Sequence, residues 1–278
     1  MNKTSLEAQR HFLMMKAVHI QCLDENKNPL KNVVASGFIV QEGEDLFLYT
    51  CWHVVTSYNM HNIEVGRQLP NRKFLEINLQ NKENPNKGVE LVSGNQNSVI
   101  PLYDKHNTPL WIQEKQDSAN YSLNCIGIKV PFLHDVIKLL LPKNMQLSQW
   151  QVITKDYTAK KDPFLGEKIH IVGYPYGYSA LGLEQPIPIV VTRFIASYQI
   201  KDRHREMLID GPASPGMSGG PVFVERNDNL QLIGIYTGLL YPDHIIEQNE
   251  KTTALGTICP LTVWWANLEM DAVQQKSI

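Results

Sequence analysis

The chain has 278 residues, 43% of them hydrophobic, enough for one large β domain or two packed barrels. A formal net charge of −2 supplies no global field toward nucleic acid or an anionic membrane, and no window approaches the roughly 20 apolar residues of a membrane span. Four cysteines, Cys22, Cys51, Cys125 and Cys259, lack C-x-x-C spacing, which removes the zinc reading and leaves free thiols in a reducing compartment as the simplest account.

The N-terminal apolar run Phe12-Leu13-Met14-Met15 is too short for a secretory signal, so the expectation is a cytoplasmic protein with no membrane partner and no nucleic-acid partner. Lys16 to Cys22 alternates and predicts a first strand, Val33 to Val40 a second and Leu46 to Thr50 a third. That hairpin delivers His53. Phe74 to Leu79, Gly88 to Val92 and Asn95 to Tyr103 predict further strands among loops, and Leu123 to Val130 alternates again. Phe132 to Leu141 is apolar at helical spacing, broken by His134-Asp135 and Lys138, and predicts a helical linker between barrels that ends at Pro142. Gln151 to Tyr157 and Lys168 to Gly173 are expected to open a second barrel, and Ile187 to Ile200, Glu206 to Ile209 and Gln231 to Gly238 predict its further strands. Thr262 to Gln275 predicts a C-terminal helix capped by Thr262, with Trp264, Trp265 and Leu268 facing inward. The boundaries are then about 12–140 for the first barrel, 148–260 for the second and 262–275 for the helix.

The most informative stretch is Gly216-Met217-Ser218-Gly219-Gly220-Pro221, a glycine-rich turn running into the apolar strand Val222-Phe223-Val224. Gly216 and Gly219 can take dihedrals that other residues reach only with strain. The turn can aim the N–H groups of Gly216 and Ser218 at one point, which is what a developing oxyanion needs. A lone Gly-x-Ser is compatible with a plain hairpin; the six-residue string is far more specific. A serine hydroxyl needs a base, and Thr50-Cys51-Trp52-His53-Val54-Val55 supplies a histidine where a strand should end. The glycine-bearing strand Ala35-Ser36-Gly37-Phe38-Ile39-Val40 precedes it.

Those stretches resemble the trypsin-like serine peptidases of the chymotrypsin-fold superfamily, closer to the bacterial Deg/HtrA-like branch than to digestive enzymes. The resemblance implies an all-β fold of two antiparallel six-stranded β-barrels with a C-terminal α-helix, in a single peptidase domain. It implies a serine endopeptidase acting on a peptide or protein substrate with no metal and no cofactor. Ser218 is then the nucleophile, His53 the base, and Gly216 and Ser218 the oxyanion hole. Pro212 and Ala213 fall at the floor of the primary specificity pocket, with Tyr236, Thr237 and Gly238 along its wall; neither floor residue is acidic, so small or apolar residues are expected before the cut. Asp210 could enter the pocket only if its loop shifts. Met217 stands where digestive relatives carry an aspartate that pairs with a new N-terminus, so activation by N-terminal cutting is not expected. Secreted relatives often staple the histidine loop with a disulfide, and no cysteine near Cys51 offers one here.

One position departs from the pattern. The family's third triad member opens a strand of the form Asp-x-Ala-x-Leu-Lys, and the matching stretch reads Asn124-Cys125-Ile126-Gly127-Ile128-Lys129. With Asn124 orienting His53, and Asp117 and Glu114 too far upstream to substitute, the expectation is a folded and nearly inactive peptidase. The alternative is a module that holds a peptide without cutting it.

Overall fold

Short alternating runs separated by turns build strands along nearly the whole chain in the computed structural model. It describes residues 13–56, 71–80, 95–114, 122–123, 128–129, 134–145, 147, 151–177, 186–201, 204–240 and 255–276. In the first half these are β1 (Val18–Leu23), β2 (Pro29–Glu42), β3 (Asp45–Thr50), the one-turn helix α1 (Trp52–Val55), β4 (Phe74–Gln80), β5 (Asn95–Pro101), β6 (Trp111–Ile112), β7 (Ser122–Leu123), β8 (Ile128–Lys129), β9 (Ile137–Leu140) and β10 (Val152–Thr154). In the second half they are β11 (Lys168–Gly173), β12 (Ile189–Lys201), β13 (His204–Ile209), β14 (Pro221–Arg226), β15 (Asn229–Leu240), β16 (Leu255–Pro260) and the helix α2 (Leu261–Lys276).

The second half closes into a six-stranded barrel in the order β11-β12-β13-β16-β15-β14. Closure leaves no sheet edge open. Its interior is filled by Ile169, Ile171, Met207, Ile209, Val222, Val224, Ile233, Tyr236 and Ile258. The first half is a half-barrel in the order β5-β4-β1-β2-β3-β9-β6, with β10 added in parallel to β2. The long β2 pairs with β1 up to Gly37 and with β3 from Phe38 onward. A Cβ at Gly37 would meet the Ile20 side chain and the Tyr49 carbonyl, both at 2.8 Å, so this corner admits only glycine.

Several expectations change. Residues 152–154 add to β2 of the first half, so this stretch does not open the second barrel. Residues 137–140 form a strand, not part of a helical linker: β9 pairs with β3, as in Tyr49↔Lys138. Ile137 and Leu139 point inward, while Lys138 bonds Glu42 at 2.7 Å and lies over the Phe47 ring on the other face. Period-2 burial outweighed an apparent helical spacing that rested on consecutive apolar residues. Leu123 and Ile128 are cross-strand partners of a small hairpin, so they do not follow one another along one strand. The strand expected at 88–92 lies outside the described residues.

The C-terminal helix forms as expected, and its inward face joins the larger core. Trp264 is fully buried with its ring edge against Tyr49, and Trp265 Nε1 donates to the Tyr49 hydroxyl at 2.8 Å. Burying an aromatic of this size contributes about 3 kcal/mol. Thr262 does not cap the helix; its hydroxyl lies 3.1 Å from Asp162 Oδ1 and ties the helix to the chain before β11.

Candidate active site

His53 sits in the single turn of α1, where β3 ends at the junction of the two halves. Three groups hold this turn. At its start, the His53 N–H, which has no partner within so short a helix, donates to Asp135 Oδ1 at 3.0 Å. At its end, Arg72 Nη1 donates to the His53 carbonyl at 2.5 Å and to the Val54 carbonyl at 2.6 Å. The buried Cys22 thiol also reaches the Val54 carbonyl, at 3.3 Å. Burial lowers the Arg72 pKa.

The other oxygen of Asp135, Oδ2, lies 2.5 Å from His53 Nδ1. Asp135 is therefore bidentate toward one residue, one oxygen on the backbone and one on the ring, and it is only 3% exposed. An ionised carboxylate accepts and never donates, so it holds the ring with its proton on Nδ1 and leaves Nε2 as an acceptor. In sequence no nearby acid is an obvious substitute for an aspartate at position 124; in the structure Asp135 bonds the His53 ring. Asn124 itself lies outside the described residues. Asp135 begins the run Asp135-Val136-Ile137-Lys138-Leu139, which has the same acid-then-alternation form as the family's strand.

Asp135 is in turn positioned by its neighbour. The buried His134 ring lies 2.9 Å from Glu114 Oε1 through Nδ1 and 3.0 Å from the Arg205 carbonyl through Nε2. Asn267 of α2 donates to the other Glu114 oxygen at 3.0 Å. The C-terminal helix thus reaches, through Glu114 and His134, to the residue beside the histidine's partner.

Ser218 is partly exposed on its turn, between the positive-φ residues Gly216 (φ +90°) and Gly219 (φ +86°). The turn is bonded to β2 of the first half and to β15 of the second. The Ser36 N–H donates to the Ser218 carbonyl at 2.9 Å, and the Gly219 N–H donates to the Tyr236 carbonyl at 2.8 Å. The same Tyr236 carbonyl accepts the Cys51 thiol at 3.4 Å, two residues before His53. A Cβ at Gly219 would collide with the Ser36 carbonyl and the Thr50 hydroxyl, so the two halves close over this glycine. Within the turn, the N–H groups of Met217, Gly219 and Gly220 all donate to backbone carbonyls; no such bond to another described residue is made by those of Gly216 and Ser218.

Of the expected pocket residues, Ala213 meets the Tyr236 ring. Tyr236 is buried, and its hydroxyl accepts the Ala213 N–H at 3.1 Å. The same ring lies close enough to Gly256 that a Cβ there would sit 3.1 Å from it. The Pro212 carbonyl accepts Arg193 Nη2 at 2.8 Å, Thr237 and Thr257 hydroxyls pair at 2.9 Å, and Gly238 has φ +150°. Asp210 accepts the Phe194 N–H through Oδ1 at 3.0 Å, which engages its carboxylate on β12.

Cys51, His53 and Asp135 offer ligand atoms within 4.8 Å of one another. The donor chemistry suits hydrogen bonding better than a metal. Burial, with the nearby Asp135 and Cys259, pushes the Cys51 thiol well up and keeps it protonated, and His53 and Asp135 already bond one another directly. The same shift makes Cys51 a poor nucleophile.

No curated protein sequence matches the chain. Among solved structures, a serine endoprotease from Yersinia pestis is 15% identical, with a TM-score of 0.50, covering 95% of this chain and 65% of that one. A protease from M. tuberculosis in its active form is 13% identical, with a TM-score of 0.48, covering 95% of this chain and 83% of that one. The family model described as the trypsin-like peptidase domain matches residues 35–235, which contain the serine turn, the histidine turn and Asp135. The chain belongs to the trypsin-like peptidase family.

Proposed function

We propose that the chain is an active serine endopeptidase with Ser218 as nucleophile, His53 as general base and Asp135 as the group that orients it. Ser218 Oγ attacks the scissile carbonyl carbon while His53 Nε2 takes its proton. The carbonyl oxygen becomes an oxyanion received by the Gly216 and Ser218 N–H groups. The intermediate collapses, the C–N bond breaks, and the amine leaves with the proton from His53. Water then repeats the sequence on the acyl-enzyme and frees the acid. Asp135 stabilises the imidazolium in both halves. The single observation carrying this reading is the bidentate engagement of His53 by buried Asp135. The binding-module alternative rested on Asn124 as the partner of His53, and no other residue argues for it.

The substrate reading follows from Tyr236. Its ring occupies the space between Ala213 and Gly256, so the pocket beside Ser218 suits a small side chain before the cut. A fluorophosphonate probe tests the function on the full chain. Labelling at Ser218 that disappears in Ser218→Ala, together with cleavage of a peptide library, is the expected result. A chain that binds peptides yet neither labels nor cuts them overturns it.

A further inference from the structure

We propose that the buried hydroxyl of Ser36 is the positioning group that holds the oxyanion hole in its receptive form, an inference that rests on the peptidase reading above. Ser36 lies on β2 in the first half of the chain and is fully buried. Its Oγ donates to the Gly216 carbonyl at 2.8 Å and accepts the Tyr174 N–H at 2.9 Å. One hydroxyl therefore joins three segments: β2, the serine turn, and the Gly173–Gly177 turn that follows β11.

The need for such a group follows from the glycine. A peptide plane rotates as a unit, and glycine accepts φ of either sign. The plane between Pro215 and Gly216 could turn over and point the Gly216 N–H away from the substrate, with no steric penalty at Gly216 itself. Two bonds oppose this. The Tyr176 N–H donates to the Pro215 carbonyl at 2.8 Å, and because C=O and N–H of a trans peptide point in opposite directions within its plane, this fixes where the Gly216 N–H points. Ser36 pins the next plane through the Gly216 carbonyl. Ser36 also governs the first bond, because its acceptance of the Tyr174 N–H seats the turn that presents Tyr176. That turn closes on itself through Gly177 N–H to the Tyr174 carbonyl at 3.2 Å, and Tyr176 has φ +54°. A Cβ at Gly216 would stand 2.5 Å from the Tyr174 carbonyl and 2.8 Å from the Tyr176 nitrogen, so turn and oxyanion hole are in direct contact.

The test compares Ser36→Ala with the wild type and with Ser36→Thr, which keeps a hydroxyl. Four quantities are read on the full chain: kcat and KM for a peptide substrate, affinity for the corresponding peptide aldehyde, and affinity for the same peptide as a non-covalent product. The aldehyde adduct places an oxyanion between the two N–H groups. Ser36→Ala is expected to lower kcat by about 10- to 100-fold, below the loss of a direct donor. Aldehyde affinity should fall by the same factor, with KM and product affinity within about twofold. Ser36→Thr should recover most of the loss. Unchanged kcat in Ser36→Ala, or a loss that falls on KM and product affinity instead, overturns the proposal. If Ser36→Ala does not fold, Ser36→Cys, which keeps the shape with a weaker donor, is read in the same way against the same limits. A wild type that neither labels with fluorophosphonate nor cleaves peptide sinks the peptidase reading and this proposal with it. A wild type and Ser36→Ala that label at equal rates sink this proposal alone.

Discussion

Replacing Asp135 with asparagine changes one atom's chemistry and almost nothing of its shape. The geometry dictates how the amide must sit. The His53 N–H, 3.0 Å from Oδ1, can only donate, so the amide oxygen has to face it. The amide NH₂ is then turned toward His53 Nδ1, where Oδ2 lies at 2.5 Å in the native protein. An NH₂ donates, so Nδ1 becomes the acceptor and the ring proton moves to Nε2, the nitrogen that must take the proton of Ser218. Rotating the amide to restore the tautomer would set NH₂ against N–H at the backbone. The variant also lacks the charge that stabilises the imidazolium. The same substitution in a trypsin triad lowers kcat by about 10⁴, equivalent to about 5.4 kcal/mol of barrier. We expect Asp135→Asn to lose about 10³–10⁴ in kcat on an internally quenched peptide, with KM changed little. Asn124→Asp, measured alongside, should leave kcat within about threefold. The reasoning is refuted if Asp135→Asn keeps a tenth of wild-type turnover, or if Asn124→Asp raises it a thousandfold.

Arg72→Met keeps the stem of the side chain and removes the guanidinium that holds the His53 and Val54 carbonyls. It should cost about 3–6 kcal/mol in urea unfolding and lower kcat about tenfold, since two hydrogen bonds to a charged group contribute roughly 1.5–3 kcal/mol each; a stability change under about 0.5 kcal/mol counts against the clamp. His19 packs edge-on against the Tyr174 ring, 5.2 Å between centroids, and burial lowers its pKa to about 4 from 6.5. The fold holds it neutral while the unfolded chain protonates it readily, so its contribution is complete above pH 6.5 and is lost as pH falls through about 4. The difference in unfolding free energy between wild type and His19→Phe should shift by up to about 3 kcal/mol across that window. Parallel pH profiles for the two proteins would show that His19 does not titrate as described.

What the sequence revealed depended on how local each signal is. The serine turn needs its glycines within a few residues, so Gly216, Ser218 and Gly219 were readable directly, as was His53 at a strand end. The strands around them follow from period-2 alternation over five to eight residues. Asp135 depends on a pairing instead: it lies 82 positions from His53 in sequence and is aimed at it because β9 adds to β3. With Val136 and Ile137 adjacent and Leu139 to Leu141 consecutive, the run fits a helix as well as a strand, and the acid reads as an interruption. The signal that separates the two is Lys138. In a strand it is the outward residue between two inward ones, and the structure places it on Glu42. Arg72 and Ser36 had no local signature at all. A lone arginine after a polar stretch and a serine within a strand gain their meaning only from carbonyls that belong to other segments.

The histidine turn also shows how a fold can dispense with a covalent staple. Arg72 bonds the carbonyl of His53, 19 positions away, and so closes a loop of the size at which a disulfide would contribute about 3 kcal/mol by restricting the unfolded chain. The guanidinium reaches a similar magnitude differently, through two charge-assisted bonds to carbonyls that a one-turn helix leaves unpaired. Such a clamp does not depend on redox conditions, and the cysteine nearest to it, Cys22, remains a thiol donating to the Val54 carbonyl. It acts on the folded state alone, so reductant should leave the His53 turn intact. The clamp and Asp135 grip opposite ends of the same four residues. Asp135 holds the ring and the leading N–H, and Arg72 holds the trailing carbonyls. Both grips fix the placement of one ring, which predicts that losses in kcat from Arg72→Met and Asp135→Asn combine to less than their product.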